Sequence, residues 1–500
     1  MIFRNSFAQS GAMITGYIFS FVLAPIMLAR LGLELFGIWA ITGAFATYAG
    51  LMDLGITRAL ERFVAFYNAH DDRRSMEQCF GLGLLAVTVV ASLAALIAAA
   101  AAPAVTSALG DVLQASEMRI VLLSAVAIMA LNAYSSVMRS VPLGLQMQVP
   151  PSLALMVANT INFVFSLVAL AVSTDLVVYA MANAAAAIVA LVPMAVALRS
   201  TWSPVRVRFP SRAITTEVLG FSLKSQVAWI SDLINNQTDK IIIGVFIDVR
   251  AAGAYEIANR VVLAVKAVAI MSISALTAAA TTELVEHGRA MIPRFYSHYT
   301  RRAMSVALPL MTFTCVAAPV LLVAWLGDVP ENAAAVVVVL TLANCLNLST
   351  GVGSTVSLGD GRAGAIANVG ILVVVVNIIA TLALTPFFGL WGVLAGTAIA
   401  IVVGTIVFLA YFHRLYDVSV RTYIRSAGGP ALLAVLAALP LVVWQLVGVT
   451  PVDDRLSAFA LTFAFLAVYV AIYWPVATSM QMLPQRLRLP EKWRVLSAGA

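Results

Sequence analysis

The chain has 500 residues, of which 62% are hydrophobic and 11% charged, with a mean hydropathy of +0.98. A soluble globular protein is nearer a quarter charged, so this composition excludes a soluble domain and selects an integral membrane protein. The net charge of +7 does not point to nucleic acid, because the basic residues follow the loops and gather in no single groove. Cys79, Cys315 and Cys345 are too few and too scattered for a disulfide framework.

In chain order, apolar windows suited to helices fall at roughly 10–29, 36–57, 80–104, 118–138, 152–174, 176–198, 217–247, 251–280, 303–325, 332–356, 363–385, 390–411, 428–448 and 456–478. The expected fold is therefore an all-α integral membrane protein with about 14 transmembrane helices. The alternating ten-residue segments of a β-barrel are absent. Only Arg4 precedes the first window and no small-residue cleavage site follows it, so that window reads as a retained span. With the N-terminus placed in the cytoplasm, 22 of the 30 Lys and Arg residues fall in cytoplasmic segments and four (Arg30, Arg119, Arg250, Arg455) fall outside. That asymmetry predicts a multi-pass protein with both termini cytoplasmic. The outer loops are short and no soluble domain interrupts the spans.

The basic stretch RSTWSPVRVRFPSR (199–212) separates window 6 from window 7. An offset of 216 residues superimposes Gly37 on Gly253 and Trp39 on Tyr255, each at the end of the first helix of a half. Such a repeat predicts two parallel six-helix lobes, residues 1–205 and 206–425. Residues 426–500 would then add two helices and a basic cytoplasmic tail.

Window 7 carries an unusual stretch, LINNQTDKIIIG (233–244). At about 100° per residue, Ser225, Asp232, Asn235, Asn236 and Asp239 share one stripe. Leu223, Val227, Ile230, Ile234, Ile241 and Val245 take the opposite one. In window 8, Glu256, Asn259, Arg260, Lys266 and Ser274 share a broad face, and Glu256 lies within pairing reach of Arg260. A charge near the bilayer centre costs about 2.5–3.5 kcal/mol, so Asp232, Asp239, Lys240, Arg260 and Lys266 would together cost on the order of 15 kcal/mol if left unpaired in lipid. They must pair, face water, or both. One use is a clasp of Asp–Lys and Glu–Arg pairs between helices. The other is a water-filled cavity in which Lys224, Lys240, Arg260 and Lys266 hold an anionic or hydroxyl-rich substrate, with Asn235 and Asn236 beside them. The excess of bases over Asp232, Asp239 and Glu256, and the surrounding amides, favour the cavity. If transport is ion-coupled, those three carboxylates are the eligible groups for a proton or sodium ion. Asp53 and Arg58, at the inner end of window 2, suit either a gate or a topological anchor.

Catalytic chemistry is not expected. There is no GxxxxGK[ST] loop, and the glycine-rich GVGSTVSLGDG (351–361) follows no strand. His70, His287, His298 and His413 lack metal-ligand spacing. No nucleophilic triad and no cofactor site can be assembled.

Three segments carry a resemblance. LGLELFGIWAITGAFATYAGLMDLGITRAL (31–60), NQTDKIIIGVFIDVRAAGAYEIANRVV (236–262) and NVGILVVVVNIIATLALTPFFGLWGVLAGTAIA (368–400) resemble the corresponding stretches of Wzx-type polysaccharide-repeat flippases. These form a branch of the multidrug/oligosaccharidyl-lipid/polysaccharide exporter superfamily. The resemblance implies two six-helix lobes in a V and alternating access in the bacterial inner membrane. It implies translocation of an undecaprenyl-pyrophosphate-linked oligosaccharide to the periplasm, for O-antigen or exopolysaccharide synthesis. It also implies a cationic cavity for the pyrophosphate, with Lys224, Lys240, Arg260 and Lys266 as its candidates here. A polysaccharide polymerase and a chain-length regulator are the implied protein partners. A lipid II flippase and a cation-coupled multidrug antiporter of the same superfamily are alternatives. The antiporter usually has twelve spans and an acid-dominated site, unlike this chain. An O-antigen polymerase or ligase would need a large outer loop with catalytic Arg or His, and none is present.

Overall fold

The computed structural model describes residues 2–50, 55–274, 286–447 and 454–480, with single positions 280, 284 and 482. Among these the regular structure is helical and no strand occurs. Helix α1 (Ile2–Gly50) carries the first window and most of the second in one run, broken at Gly32 where φ is 77° and ψ 169°. Glycine adopts that φ without steric cost, so the helix turns there and resumes. Helix α2 (Ile56–Ala69) follows. Arg58 and Arg62 mark this stretch as a loop by charge, yet Ile56, Leu60, Phe63, Val64 and Tyr67 form a buried stripe that makes it a packed helix.

Next come α3 (Arg73–Ala108), α4 (Ala115–Gly144), α5 (Val149–Val172), α6 (Leu176–Thr201), α7 (Arg212–Phe246) and α8 (Val249–Ser274). The chain continues through α9 (Ile292–Leu326), α10 (Ala333–Leu348), α11 (Gly351–Gly359), α12 (Ala363–Phe388), α13 (Leu390–Leu415), α14 (Val420–Val447) and α15 (Arg455–Ser479). Several begin at a capping side chain. Asp72 accepts from the Ser75 amide, Asp175 from Val177, and Ser211 from Ile214, which satisfies amides that the helix itself cannot. Among the described residues, eleven segments are long and apolar enough to cross a membrane. Helices α7 and α8 are equally long but more polar. The protein is a multi-pass, all-α membrane protein.

The chain divides into two compact units, Met1–Gly253 and Ala254–Ala500. In the first, α4 packs against α3 and α6, α5 joins α6 and α1, and α2 lies on α3 and α4. Helix α7 packs against α1, α2 and α3, so this unit runs past the 199–212 linker. The packing division after Gly253 and the repeat boundary expected at 205/206 are different quantities: one marks where contacts lie, the other where the chain restarts. The linker is itself secured. Trp202 meets Phe80 edge-on at 5.5 Å. Arg73 donates to the Pro204 carbonyl at 2.7 Å, and Arg208 Nε to Glu77 Oε2 at 2.5 Å. Glu77 is 3% exposed. A Cβ at Gly81 would overlap the Arg208 carbonyl, so only glycine lets the linker lie this close.

In the second unit, α9 packs against α10, α11, α14 and α15. Helices α12 and α13 form a hairpin through Gly389, at φ 54°. Gly392 and Gly396 of α13 touch the backbone of Leu384 and Thr381, the close approach that small residues allow between membrane helices. The last two helices are pinned by phenols: Tyr469 donates to the Ala434 carbonyl at 3.2 Å and Tyr473 to the Ser305 carbonyl at 2.8 Å.

Candidate functional site

The polar part of α7 is packed into the first unit through its aliphatic neighbours. Ile242 and Ile243 are buried, and Gly244 sits against Ile41 of α1 with no room for a Cβ. One turn earlier, the Thr238 hydroxyl donates to the Ile234 carbonyl at 2.7 Å and pairs with the Tyr48 hydroxyl of α1. Asn235, Gln237 and Thr238 are half-buried. The Asn235 amide oxygen is buried and makes no hydrogen bond among the described residues. Asp239 is 0% and Lys240 7% exposed. These two groups therefore do not open onto water here. The sequence places Asp239 on a polar stripe with Lys240 next to it in the chain, but carries no signal of their enclosure. Lys224, Asp232 and Asn236 lie on α7 by backbone, but their side chains fall outside the described ones, and Asp53 lies outside the described residues altogether. Arg58, on α2, is exposed.

On α8, in the second unit, Arg260 Nε donates to Glu256 Oε1 at 3.0 Å, the i,i+4 pair anticipated from spacing. Both are mostly enclosed, their side chains 23% and 12% exposed. Lys266 is half-buried and Asn259 buried.

A second feature of the first unit lies between α1 and the start of α8. Gly37 and Gly253, equivalent in the 216-residue repeat, touch. A Cβ at Gly37 would overlap the Val249 carbonyl, and one at Gly253 would come within 2.8 Å of the Leu33 carbonyl. Glu34 and Arg250, also 216 apart, form an ion pair at 2.7 Å.

Some polar groups escape sequence reasoning. Asn377 of α12 donates to the Thr397 hydroxyl of α13 at 3.3 Å. The Asn377 amide oxygen and the Thr381 hydroxyl are buried with no hydrogen bond among the described residues. Their only sequence signal is the asparagine inside an otherwise apolar run. At the α11–α12 corner, Asp360 accepts from Arg289, Arg362 and Tyr416. Burial pushes its carboxyl up, but these hydrogen bonds outweigh burial and hold it below the usual carboxylate range. Among the described residues, no three His, Cys, Asp or Glu side chains gather as a metal site.

Over residues 2–277 the chain matches the family described as "Polysaccharide biosynthesis protein". The chain belongs to that family. No curated protein matches it. Among solved structures it is similar to "Lipid II flippase MurJ, inward closed conformation", with a TM-score of 0.70 and 11% identity, covering 96% of this chain and 100% of that one. It is also similar to an inward-facing multidrug resistance MATE family transporter of the MOP superfamily, with a TM-score of 0.64 and 15% identity, covering 79% and 94%. At such identities the likeness establishes the fold. This member of the polysaccharide biosynthesis family is thus built on the MurJ and MATE fold, in agreement with the resemblance read from its motifs.

Proposed function

We propose that this protein is a flippase that moves a polyprenyl-pyrophosphate-linked oligosaccharide from the cytoplasmic to the periplasmic leaflet of a bacterial inner membrane. The carrying observation is the mid-helix cluster on α7, where Asp239 and Lys240 are enclosed behind a turn of amides and hydroxyls. Enclosed charge is destabilising unless compensated, and a membership in polysaccharide biosynthesis gives it a use. Lys240, Arg260 and Lys266, with Lys224, would hold the pyrophosphate, while Asn235 and Asn236 bond sugar hydroxyls and the prenyl tail stays in lipid. Because Asp239 and Lys240 are enclosed in this conformation, the reading requires that α7 expose them at another stage of alternating access between lobes 1–205 and 206–425.

Ion coupling, by a proton or sodium gradient, would use Asp232, Asp239 or Glu256, and Asp53 with Arg58 would gate the inner end. The arginine asymmetry supports cytoplasmic termini. A polymerase and a chain-length regulator are the partners that a supply of flipped repeat units implies.

The test is complementation of surface-polysaccharide export in a flippase-null bacterium with wild type, Asp239→Ala, Lys240→Ala and Arg260→Ala. The variants should insert normally, fail to export, and accumulate lipid-linked sugar on the cytoplasmic face. Normal export by all three would leave the charges as a helix clasp and defeat the reading.

A further inference from the structure

The first unit contains a cavity that the reading above does not use. It measures about 280 Å³ and is lined by Trp39, Gly43, Ala46 and Thr47 of α1 with Met129 and Asn132 of α4. On each helix these positions recur at helical spacing, so two faces frame one space. Its floor is Gly43, where a Cβ would meet nothing within 4 Å. Glycine inside a helix is about 1 kcal/mol less favourable than alanine, and no neighbour here demands it. Space is what it provides.

The walls are chemically distinct. Trp39 is half-buried, its ring fixed by an edge contact with Tyr179 at 5.2 Å and 82°. Tyr179 is in turn held by a hydroxyl contact to the Met27 sulfur at 3.3 Å. The Thr47 hydroxyl donates to the Gly43 carbonyl at 2.7 Å, which leaves its oxygen able to accept. Asn132 is exposed near the middle of α4. An amide facing hydrocarbon at that depth would be costly, so this side of the cavity faces water.

An aromatic face, an amide and a hydroxyl in an otherwise apolar lining, completed by Ala125 and Ile128 and without charge, define the ligand by exclusion. A pyrophosphate needs bases and a hydrophobic cation needs an acid. A pyranose ring needs neither: its C–H face covers an indole and its hydroxyls bond an amide. The volume lies at the small end of ligand sites, suited to one ring.

We infer that this cavity is a subsite for one sugar ring of the lipid-linked oligosaccharide, with Trp39 as the stacking platform and Asn132 as the hydroxyl-bonding group. The inference rests on the flippase reading and extends it to the sugar.

The test uses the full chain in lipid nanodiscs. Affinity is measured for bare undecaprenyl pyrophosphate and for the same lipid carrying one hexose, one N-acetylhexosamine or one 6-deoxyhexose. Wild type should bind at least one sugar-bearing lipid about tenfold more tightly than the bare lipid, a difference of about 1.4 kcal/mol. Trp39→Leu and Asn132→Ala should each erase most of that gain, Gly43→Leu should erase all of it, and Trp39→Phe should keep the largest share. All four should bind the bare lipid as wild type does. Asn132→Ala trims an exposed side chain and so keeps the test decisive if a Trp39 variant misfolds. Variants that keep the sugar gain, or that weaken bare and sugar-bearing lipids equally, overturn the subsite. So does a Trp39-dependent affinity for tetraphenylphosphonium in place of sugar. Wild-type binding of the bare lipid with no sugar gain overturns the subsite and spares the flippase reading. Binding of no lipid at all removes both.

Discussion

Helix α7 enters the first unit through a linker clamped by an enclosed carboxylate, and the chain leaves it across a point where two glycines touch beside an exposed ion pair. At the entry, Glu77 is 4% exposed by side chain and takes both Arg208 at 2.5 Å and Arg73 at 3.6 Å. At the exit, Glu34 and Arg250 are 42% and 68% exposed. An exposed pair contributes about 0–1 kcal/mol, whereas a buried charge stripped of its partner costs about 3–5 kcal/mol. By its ion pairs, the entry is the more strongly held of the two attachments. Under the proposed alternating access, such an asymmetry would let α7 shift at one end while held at the other.

The strongest way to break this comparison is a pair of matched substitutions. A Cβ at Gly81 and a Cβ at Gly37 each overlap a backbone carbonyl. Gly81→Ala should cost about 3 kcal/mol, because the added Cβ meets the Arg208 carbonyl while Trp202, Arg73 and Glu77 hold the linker in place. Gly37→Ala should cost only about 1 kcal/mol if the contact, flanked by an exposed ion pair, gives way. Thermal unfolding in detergent reads the stabilities. Maleimide labelling of an Ala252→Cys variant, on an otherwise cysteine-free background, should speed up with Gly37→Ala. Equal destabilisation with unchanged labelling would refute the distinction.

Next in size, Glu77→Ala should destabilise by about 2 kcal/mol, less than a fully buried pair because Arg208 is half-exposed. Limited proteolysis at residues 203–210 should become faster than in wild type.

Asp360 offers an intermediate case, 12% exposed by side chain beside arginines that are 59% and 36% exposed. Its carboxyl is held below the usual range, so its stabilisation is present above the unfolded value of about 3.9 and is lost as pH falls through the lowered folded value. Wild type should lose roughly 1 kcal/mol across that acid window. Asp360→Asn should lack this part of the pH dependence and be less stable at neutral pH. A variant with the wild-type pH profile would contradict the assignment.

The smallest effect is expected for Arg250→Gln, less than about 1 kcal/mol in stability. Its influence should appear instead in faster labelling at Ala252→Cys. A large stability loss would show that the exposed pair is no weaker than the enclosed one.

Hydropathy and loop charge made the helices legible, because a bilayer imposes a length and a polarity that each span must meet. The 216-residue offset located Gly37 and Gly253, and it also relates Glu34 to Arg250; opposite charges hide such a pair from a search for likeness. Glu77 and Arg208 stand 131 residues apart, and no local pattern joins them. The polar stripe of α7 was visible as periodicity, but the enclosure of Asp239 and Lys240 depends on neighbours from other helices. Trp39 appeared only as a repeat partner, since the space before it is made by α4. Asn377 and Thr381 were masked by the aliphatic residues around them.

The composition of α7 also bears on how the protein is made. Residues 222–241 hold Lys224, Asp232, Asp239 and Lys240, too much charge for a nascent segment to partition from the translocon into lipid unaided. Among the described residues it packs against α1, α2 and α3, all synthesised earlier. An order of biogenesis is the expected consequence, with the first helices in the bilayer as a template and the seventh entering by docking onto them.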